Sequence, residues 1–292
     1  TYMNNINNTK INGLNIKNYF IILDKKLEKF KLLSNFNIKV IAISLMVIEH
    51  FFKIFMHYMA MRNIYIGNFD IQTFAIRYIY HLTSLSFPLF CFFIVEGFQH
   101  TKNLKKYMLI LLIFGFISEI PLDFAFFLFS PFNKDEIIGK IFYLGYQNVF
   151  FTLFLGVLCL YIIRYVEQNI SNKIKSIFLK ILSIILISIL ANIINCDYEY
   201  RGILFISFFY IFRKNRIYQI LAYLLLIIFM YNEQPGIYNF IWCLVIYLYN
   251  GKLYNNMNIK HNPKVKYIFY WIYPLHLILF GLINFYLLKY YG

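Results

Sequence analysis

Two ionisable residues, Glu49 and His50, stand side by side in the apolar run IKVIAISLMVIEHFFKIFMHYM. A charged side chain at the centre of a membrane helix costs about 2.5–3.5 kcal/mol, so such residues usually face a protein interior or a watery cavity. Lys53 follows Glu49 at i+4 and can keep it charged while Glu49 orients the His50 ring. The pattern indicates a general base; the alternative is an internal ion pair that only fixes packing.

Composition predicts what positions this pair. The 292 residues are 61% hydrophobic and 14% charged, with a mean hydropathy of +0.61, whereas soluble domains are about 25% charged. We therefore predict an integral membrane protein, an all-α bundle with about nine transmembrane helices. The predicted spans, of which the sixth to eighth are short, are Ile38–Tyr58, Leu82–Phe98, Tyr107–Leu128, Asn148–Tyr165, Ile174–Ile194, Gly202–Phe212, Tyr218–Tyr231, Ile237–Tyr249 and Val265–Leu287.

Basic residues alternate between the connecting segments. They precede span one and follow spans two, four, six and eight, while the other connections carry most of the acids: Asp70, Asp135, Glu136, Asp197, Glu199 and Glu233. Because basic loops stay inside, this predicts a multi-pass membrane protein with a cytoplasmic N-terminus. The net charge of +15 then indicates contact with anionic membrane lipid and no nucleic-acid partner.

Two units are predicted along the chain. Residues 1–35 are rich in Asn and Lys and include the weakly helical stretch YFIILDKKLEKFKLL. They are expected to form a cytoplasmic segment that lies on the membrane surface. Residues 36–292 are expected to form the transmembrane domain.

The end of span two carries polar residues that suit an anion. Glu96, His100, Lys102 and Lys106 lie at its predicted cytoplasmic mouth, where basic groups could attract the phosphates of a cofactor such as coenzyme A. Ordinary positive-inside anchoring also explains the lysines, but it does not explain Glu96.

The predicted outer half is acidic. Glu119 and Asp123 lie at i, i+4 around Pro121 in span three, and NCDYEYRG places Asp197 and Arg201 between spans five and six. We expect these residues to line an outer vestibule that accepts an amine or a sugar.

Further polar positions have two explanations each. Asn148, Thr152 and Gly156 share one face of span four, which fits either close helix packing or binding. His276 lies near mid-depth behind Pro274; a single histidine is usually a packing residue, but this one could complete the site with His50. Cys91, Cys159, Cys196 and Cys243 have no C-x-x-C spacing, so neither a metal site nor a disulfide framework is predicted.

Five segments in series resemble the TraX family of membrane acetyltransferases. They are LMVIEHFFKIF, FPLFCFFIVEGFQHTKNLKKYMLILLIFGFISEIPLDF, NVFFTLFLGVL, DYEYRGILFISFFYIFR and YPLHLILF, and the resemblance covers about residues 38–280. It implies N-acetylation of a pilin amino terminus with acetyl-CoA as donor. A more distant similarity is to the heparan-alpha-glucosaminide N-acetyltransferase group, which passes acetyl from cytosolic acetyl-CoA across a membrane to a sugar amine.

Two positions depart from the family pattern. The usual Asp-His of span one is Glu49-His50 here, which keeps the carboxylate with one extra methylene. Ser84 stands where an arginine is expected before the Phe-Pro pair, and Arg77 is the residue that could replace that cation in donor binding.

The residues and the resemblance together predict a direct transfer. Acyl-CoA approaches from the cytosol, and a peptide or glycan acceptor enters from the outer side. His50 removes the acceptor proton, Glu49 holds its ring, and Asn148 steadies the oxyanion. The competing classes are a transporter that uses Glu49, His50, Lys53 and His276 as a proton relay, and a structural scaffold.

Overall fold

The computed structural model describes residues 30–126, 145–231, 236–252 and 265–291, and within them every predicted apolar run is helical. The predicted surface segment lies outside the described residues except for residues 30–35, so the division into two units stays a prediction. The helices are α1 Asn35–Met61, α2 Ile71–His100, α3 Leu104–Phe126, α4 Val149–Asn169, α5 Lys173–Ile194, α6 Glu199–Ile211, α7 Arg216–Tyr231, α8 Ile237–Tyr247 and α9 Val265–Tyr291.

Length and hydropathy place eight of these nine helices in two groups; α1, of 27 residues, is in neither. Within the described residues, five helices are long and apolar enough to cross a membrane: α2, α3, α4, α5 and the part of α9 from Tyr267 to Leu287. With the hydrophobic composition, they indicate an integral membrane protein. Helices α6, α7 and α8 have 13, 16 and 11 residues, or about 20, 24 and 17 Å at about 1.5 Å per residue. Since a hydrocarbon core is about 30 Å thick, the count of nine spans stays a prediction, as does the orientation.

Helix α2 begins earlier than the predicted span. A short antiparallel hairpin, β1 Tyr65–Ile66 and β2 Phe69–Asp70, leads into it. Asp70 caps the helix by accepting hydrogen bonds from the Thr73 amide at 3.0 Å and the Thr73 hydroxyl at 2.7 Å. A π-helical turn, Ala75–Ile79, then interrupts the α-helical spacing. Such turns change the face that the following residues present, so the span predicted from Leu82 missed about three turns of polar-containing helix.

The helix ends that carry basic residues meet at one end of the bundle, called here the basic end. The Arg164 guanidinium at the end of α4 donates to the Phe98 carbonyl near the end of α2 at 3.3 Å. Arg213 after α6 and Lys180 in α5 both pair with Glu167 in α4, at 3.3 and 3.8 Å. The basic segments that alternate along the sequence thus come together in the structure, where their side chains contact neighbouring helices.

Helix α6 lies inside the bundle, packed on α2, α4, α5 and α7. Its contact with α4 depends on residues without bulk. A Cβ added at Gly202 would lie 2.3 Å from Thr152 Cγ2 and 3.0 Å from Phe87 Cζ, and one at Gly156 would lie 2.2 Å from Ile206 Cδ1. Close packing therefore accounts for Gly156, one of the two explanations that its spacing left open.

This contact yields a stability prediction. Gly202→Ala should lower the free energy of unfolding by about 1–3 kcal/mol, because the branched Thr152 side chain and the Phe87 ring must both move. Thermal unfolding of the detergent-purified protein measures it. Gly236→Ala is the matched control, since no heavy atom lies within 4 Å of a Cβ there. Equal melting temperatures for the two variants would contradict the packing argument.

Candidate active site

An open cavity of about 460 Å³ lies at the end of the bundle opposite the basic end. Five parts of the chain contribute to its wall: α1, α2, the residues just before α4, the connection between α5 and α6, and the first turn of α6. Its lining residues are Glu49, Lys53, Tyr80, Ser84, Tyr146, Cys196, Asp197, Tyr198, Glu199 and Arg201. We call this cavity the vestibule. It joins Glu49 and Lys53 of α1 to the NCDYEYRG segment.

The connection between α5 and α6 holds an unusual backbone that presents Asp197. Asn195, Tyr198 and Glu199 all have positive φ values, of 57°, 63° and 44°. Such conformations in residues other than glycine cost free energy and persist where surrounding contacts enforce them. Here the Asp197 amide donates to the Gln147 carbonyl at 2.8 Å, and the Thr152 hydroxyl donates to the Asp197 carbonyl. The strained connection is thereby tied to the start of α4.

The carboxylate of Glu49 is committed to Lys53. Glu49 is 8% exposed, and its Oε1 lies 2.7 Å from Lys53 Nζ, whose side chain is 46% exposed. Adjacent helix residues point about 100° apart, whereas residues four apart lie on one face. The prediction that Glu49 holds the His50 ring is therefore wrong in its geometry: Glu49 faces the vestibule with Lys53.

His276 is the residue that holds His50. Nδ1 of His50 lies 2.6 Å from Nε2 of His276, and Nδ1 of His276 lies 2.7 Å from the Ile272 carbonyl oxygen. The rings of Phe126 and Tyr273 pack edge-on against His50, with centroids at 5.7 and 5.8 Å. The structure thus brings together two histidines that are 226 positions apart.

His50 also reaches open space, whereas His276 does not line it. A narrow cavity of about 20 Å³ is bordered by His50, Glu49 and Asp197 together with Met46, Ser86, Phe87, Phe90, Val149, Tyr198 and Tyr273. Glu49, Asp197 and Tyr198 border the vestibule as well. The imidazole of His50 therefore lies next to the inner limit of the vestibule, within reach of a group that enters it.

Asn148 does not serve the predicted oxyanion role. It is fully buried and caps α4, where its side-chain oxygen accepts from the Phe150 amide at 3.0 Å. Its amide nitrogen donates to the Gly115 carbonyl at 2.7 Å and to the Glu119 carboxylate. Because a side-chain amide has two hydrogens to donate, none remains for a substrate.

The predicted acceptor residues divide into two pairs. Asp197 and Arg201 line the vestibule. Glu119 instead accepts hydrogen bonds from the backbone and side chain of Asn148, and Asp123 is buried in α3. Neither Glu119 nor Asp123 is among the described residues that line the two cavities, so their predicted contact with the acceptor does not agree with the structure.

The predicted donor mouth also divides. Glu96 is 8% exposed rather than at the surface, and its carboxylate accepts from the Tyr249 hydroxyl at 3.1 Å. It also lies 3.9 Å from both the Arg216 guanidinium and the His100 ring. Lys102 and Lys106 are exposed at the same basic end. Ion pairing inside the bundle therefore explains the presence of Glu96, which positive-inside anchoring of the helix does not explain.

Arg77 does not join this mouth. It precedes Glu96 by 19 residues along α2, or about 28 Å of helix, and its guanidinium lies over the Phe69 ring of the hairpin at 5.6 Å. Arg77 therefore does not lie at the predicted donor mouth with Glu96, because the two positions are at opposite ends of one helix.

Several vestibule residues escaped the sequence reasoning. Tyr80 and Ser84 follow the π-helical turn and line the wall, and Tyr146 and Tyr198 contribute their rings. The Tyr198 ring stacks on Phe87 with centroids 3.5 Å apart. Aromatic residues are so common in this chain, at 22%, that their type alone carried no signal.

Asp197 lies outside the membrane-spanning helices and has a shifted pKa. Burial raises the pKa of its carboxyl from 3.8 to about 6, although a hydrogen bond from Tyr146 and the charge of Lys53 oppose the rise. Burial also raises the pKa of the neighbouring Cys196 thiol to about 12. Cys196 is thus kept as a thiol, the weakly nucleophilic form.

Comparison with known proteins gives two results. The sequence profile described as "TraX protein" matches residues 34–284. The chain is 31% identical over 192 residues to a "Probable fimbrial assembly protein FimC, serogroup H1" of Dichelobacter nodosus, covering 66% of this chain and 68% of that protein. No solved structure matches the chain.

The Asp197 pKa yields a prediction with a definite sign. The folded state binds the proton more tightly than the unfolded state, so Asp197 costs stability as pH rises from about 4 to about 6. Asp197→Asn removes this cost. Its melting temperature minus that of the wild type should therefore increase between about pH 4 and about pH 7.

Asp70→Asn is the control of opposite sign, because hydrogen bonds from Thr73 lower the pKa of that exposed carboxyl. Its difference from the wild type should not rise over the same range. A flat difference for Asp197→Asn would show that the Asp197 carboxyl is not destabilised by burial.

Proposed function

Since the chain belongs to the TraX family, we propose that it is a membrane acyltransferase. It moves an acetyl or other acyl group from cytosolic acyl-CoA to an amine or hydroxyl of an acceptor on the other side of the membrane. The observation that carries this proposal is the position of His50, a partly buried imidazole that borders the narrow cavity next to the vestibule, whose wall holds both carboxylates and cations.

The proposed reaction needs one proton acceptor at the cavity. His50 takes the proton of the acceptor amine or hydroxyl as that nucleophile attacks the thioester carbonyl. The tetrahedral intermediate then collapses, the carbon–sulfur bond breaks, and the departing thiolate takes the proton back from the imidazolium. Atoms and charges balance, and the imidazole returns to its neutral form.

Oxyanion stabilisation falls to the cations of the vestibule. Lys53 and Arg201 both line it, and a cation close to a developing oxyanion stabilises it strongly where water is scarce. Glu49 holds Lys53 in place at 2.7 Å. In this proposal Glu49 acts on the reaction through Lys53 and on an incoming cationic acceptor through its own charge.

Direct transfer is favoured over an acyl-cysteine relay. Cys196 is the cysteine among the described residues of the vestibule wall, and its thiol is fully buried with a pKa of about 12. Few thiolates would be available to attack a thioester near neutral pH. The acceptor therefore attacks the thioester itself.

The donor enters from the basic end in this proposal. His100, Lys102 and Lys106 are exposed there and suit the phosphates of coenzyme A. Ser86 borders the narrow cavity and precedes Glu96 by ten residues, about 15 Å along α2. Phe92 and Phe93 are buried between them, so the thioester reaches His50 only when helices next to α2 separate.

The acceptor is proposed to be a pilin-like peptide amino terminus or a surface glycan, with acetyl-CoA as donor. The printed name of the relative, a probable fimbrial assembly protein, supports the first of these. We further propose that the protein lies in the bacterial cytoplasmic membrane with its N-terminus inside, an orientation that the clustering of basic helix ends supports.

Removing the base tests the chemistry. His50→Ala should abolish acyl transfer from acetyl-CoA to an amine acceptor, a loss of at least about 100-fold, while the protein stays folded and still binds acyl-CoA. Transfer is measured with radiolabelled acetyl-CoA and purified protein in lipid nanodiscs. His81→Ala, on an exposed ring outside the cavities, is the control. Full turnover by His50→Ala would refute the assignment of the base.

Donor binding is tested separately. Acetyl-CoA at 100 times its dissociation constant should raise the free energy of unfolding by about 2.7 kcal/mol, whereas free acetate should not. Thermal unfolding in detergent measures the shift. An unchanged melting temperature at millimolar acetyl-CoA would argue for a transporter or a scaffold instead.

A further inference from the structure

We infer that His50 and His276 act as one hydrogen-bonded unit, in which His276 is a positioning residue that leaves Nε2 of His50 as the atom that accepts the proton. The inference rests on the proposed function for its catalytic part. Its structural part depends only on the contacts of the two rings.

The His50 and His276 rings lie in nearly parallel planes. Their planes are 4° apart and their centroids 4.9 Å apart, while the two nitrogens are 2.6 Å apart. Parallel planes cannot be separated by more than the shortest distance between their atoms, and 2.6 Å is too close for stacked faces. The rings therefore meet edge to edge, with one hydrogen bond directed between Nδ1 of His50 and Nε2 of His276.

The partners of the ring nitrogens determine which nitrogens carry hydrogen. The Ile272 carbonyl oxygen can only accept, so Nδ1 of His276 carries a hydrogen and donates it. In a neutral imidazole the other nitrogen has a lone pair. Nε2 of His276 therefore accepts from His50, and Nδ1 of His50 carries the shared hydrogen. The remaining lone pair of the unit is on Nε2 of His50.

The His276 ring is buried among aromatic side chains. His276 is 8% exposed and lies against the rings of Tyr273 and Phe280, with centroids at 5.7 and 5.6 Å. An apolar surrounding disfavours a permanent charge and so favours the neutral pair. His50 borders the narrow cavity and His276 does not, so a proton from the acceptor enters the unit through His50.

The two histidines can then accept the reaction proton and release it again, so that both rings end the reaction in their starting protonation states. When Nε2 of His50 is protonated, the hydrogen on its Nδ1 can move to Nε2 of His276, which shares the positive charge between the rings. When the thiolate leaves, Nε2 of His50 gives the proton to sulfur and the hydrogen on the shared bond returns. In a serine protease triad a carboxylate fixes the histidine tautomer and stabilises the imidazolium without taking the proton itself. Here a second imidazole fixes the tautomer and can also accept the shared hydrogen.

The test is nitrogen NMR of protein labelled with ¹⁵N-histidine in nanodiscs at neutral pH. The wild type should show both His50 and His276 protonated on Nδ1, assigned by comparison with His50→Gln and His276→Leu. In His276→Leu, His50 should lose this preference, and kcat should fall about 100-fold while KM for the acyl donor is unchanged. His276→Gln, whose amide can accept from His50 and donate to Ile272, should recover most of kcat.

His81→Leu, the same substitution at an exposed ring outside the two cavities, is the control. A hydrogen on Nε2 of His50 in the wild type, or an unchanged kcat in His276→Leu, would overturn the inference. If the wild type shows both expected tautomers but transfers no acyl group, the proposed function fails while the hydrogen-bonded pair stands. The two failures are therefore distinct.

Discussion

The close approach of α4 and α6 is the constraint on which the vestibule depends. Gly202 lets Thr152 pack against the backbone of α6, and the Thr152 hydroxyl donates to the Asp197 carbonyl just before that helix. A larger residue at Gly202 would separate the helices and loosen the strained connection between α5 and α6. The same contact that buries α6 therefore also places Asp197 opposite Glu49 and Lys53.

A second constraint is that each buried charge in an apolar bundle needs a partner, since an isolated one is costly. Glu49 has Lys53, Glu96 has Arg216 and Tyr249, and Glu119 has Asn148. These pairs are satisfied inside the protein, and they divide its polar groups into a basic end and a vestibule end. At the vestibule, charged side chains of the described residues line a cavity of about 460 Å³, which is why the proposed chemistry is located there.

The separation of the two ends has a consequence for mechanism. Glu96 at the basic end and the His50 ring are separated by packed aromatic side chains of α2. Cores of this kind are close-packed and do not deform continuously. The proposed acyl transfer would therefore require a helix rearrangement around α2, the helix that also contains the π-helical turn.

The sequence by itself determined the helical segments, the alternation of basic segments, and the position of Glu49 and His50 in the middle of an apolar helix, because these depend on local composition. It predicted Glu49 as the partner of His50 from adjacency, and Asn148 as a free amide from its type. The tertiary structure gives both residues other partners. His276, from a distant helix, contacts Nδ1 of His50, and Glu119, also from another helix, accepts from the Asn148 amide. Which side chains become partners in a helix bundle depends on which helix faces pack together. A single sequence defines the faces of each helix but does not show which of them pack against each other.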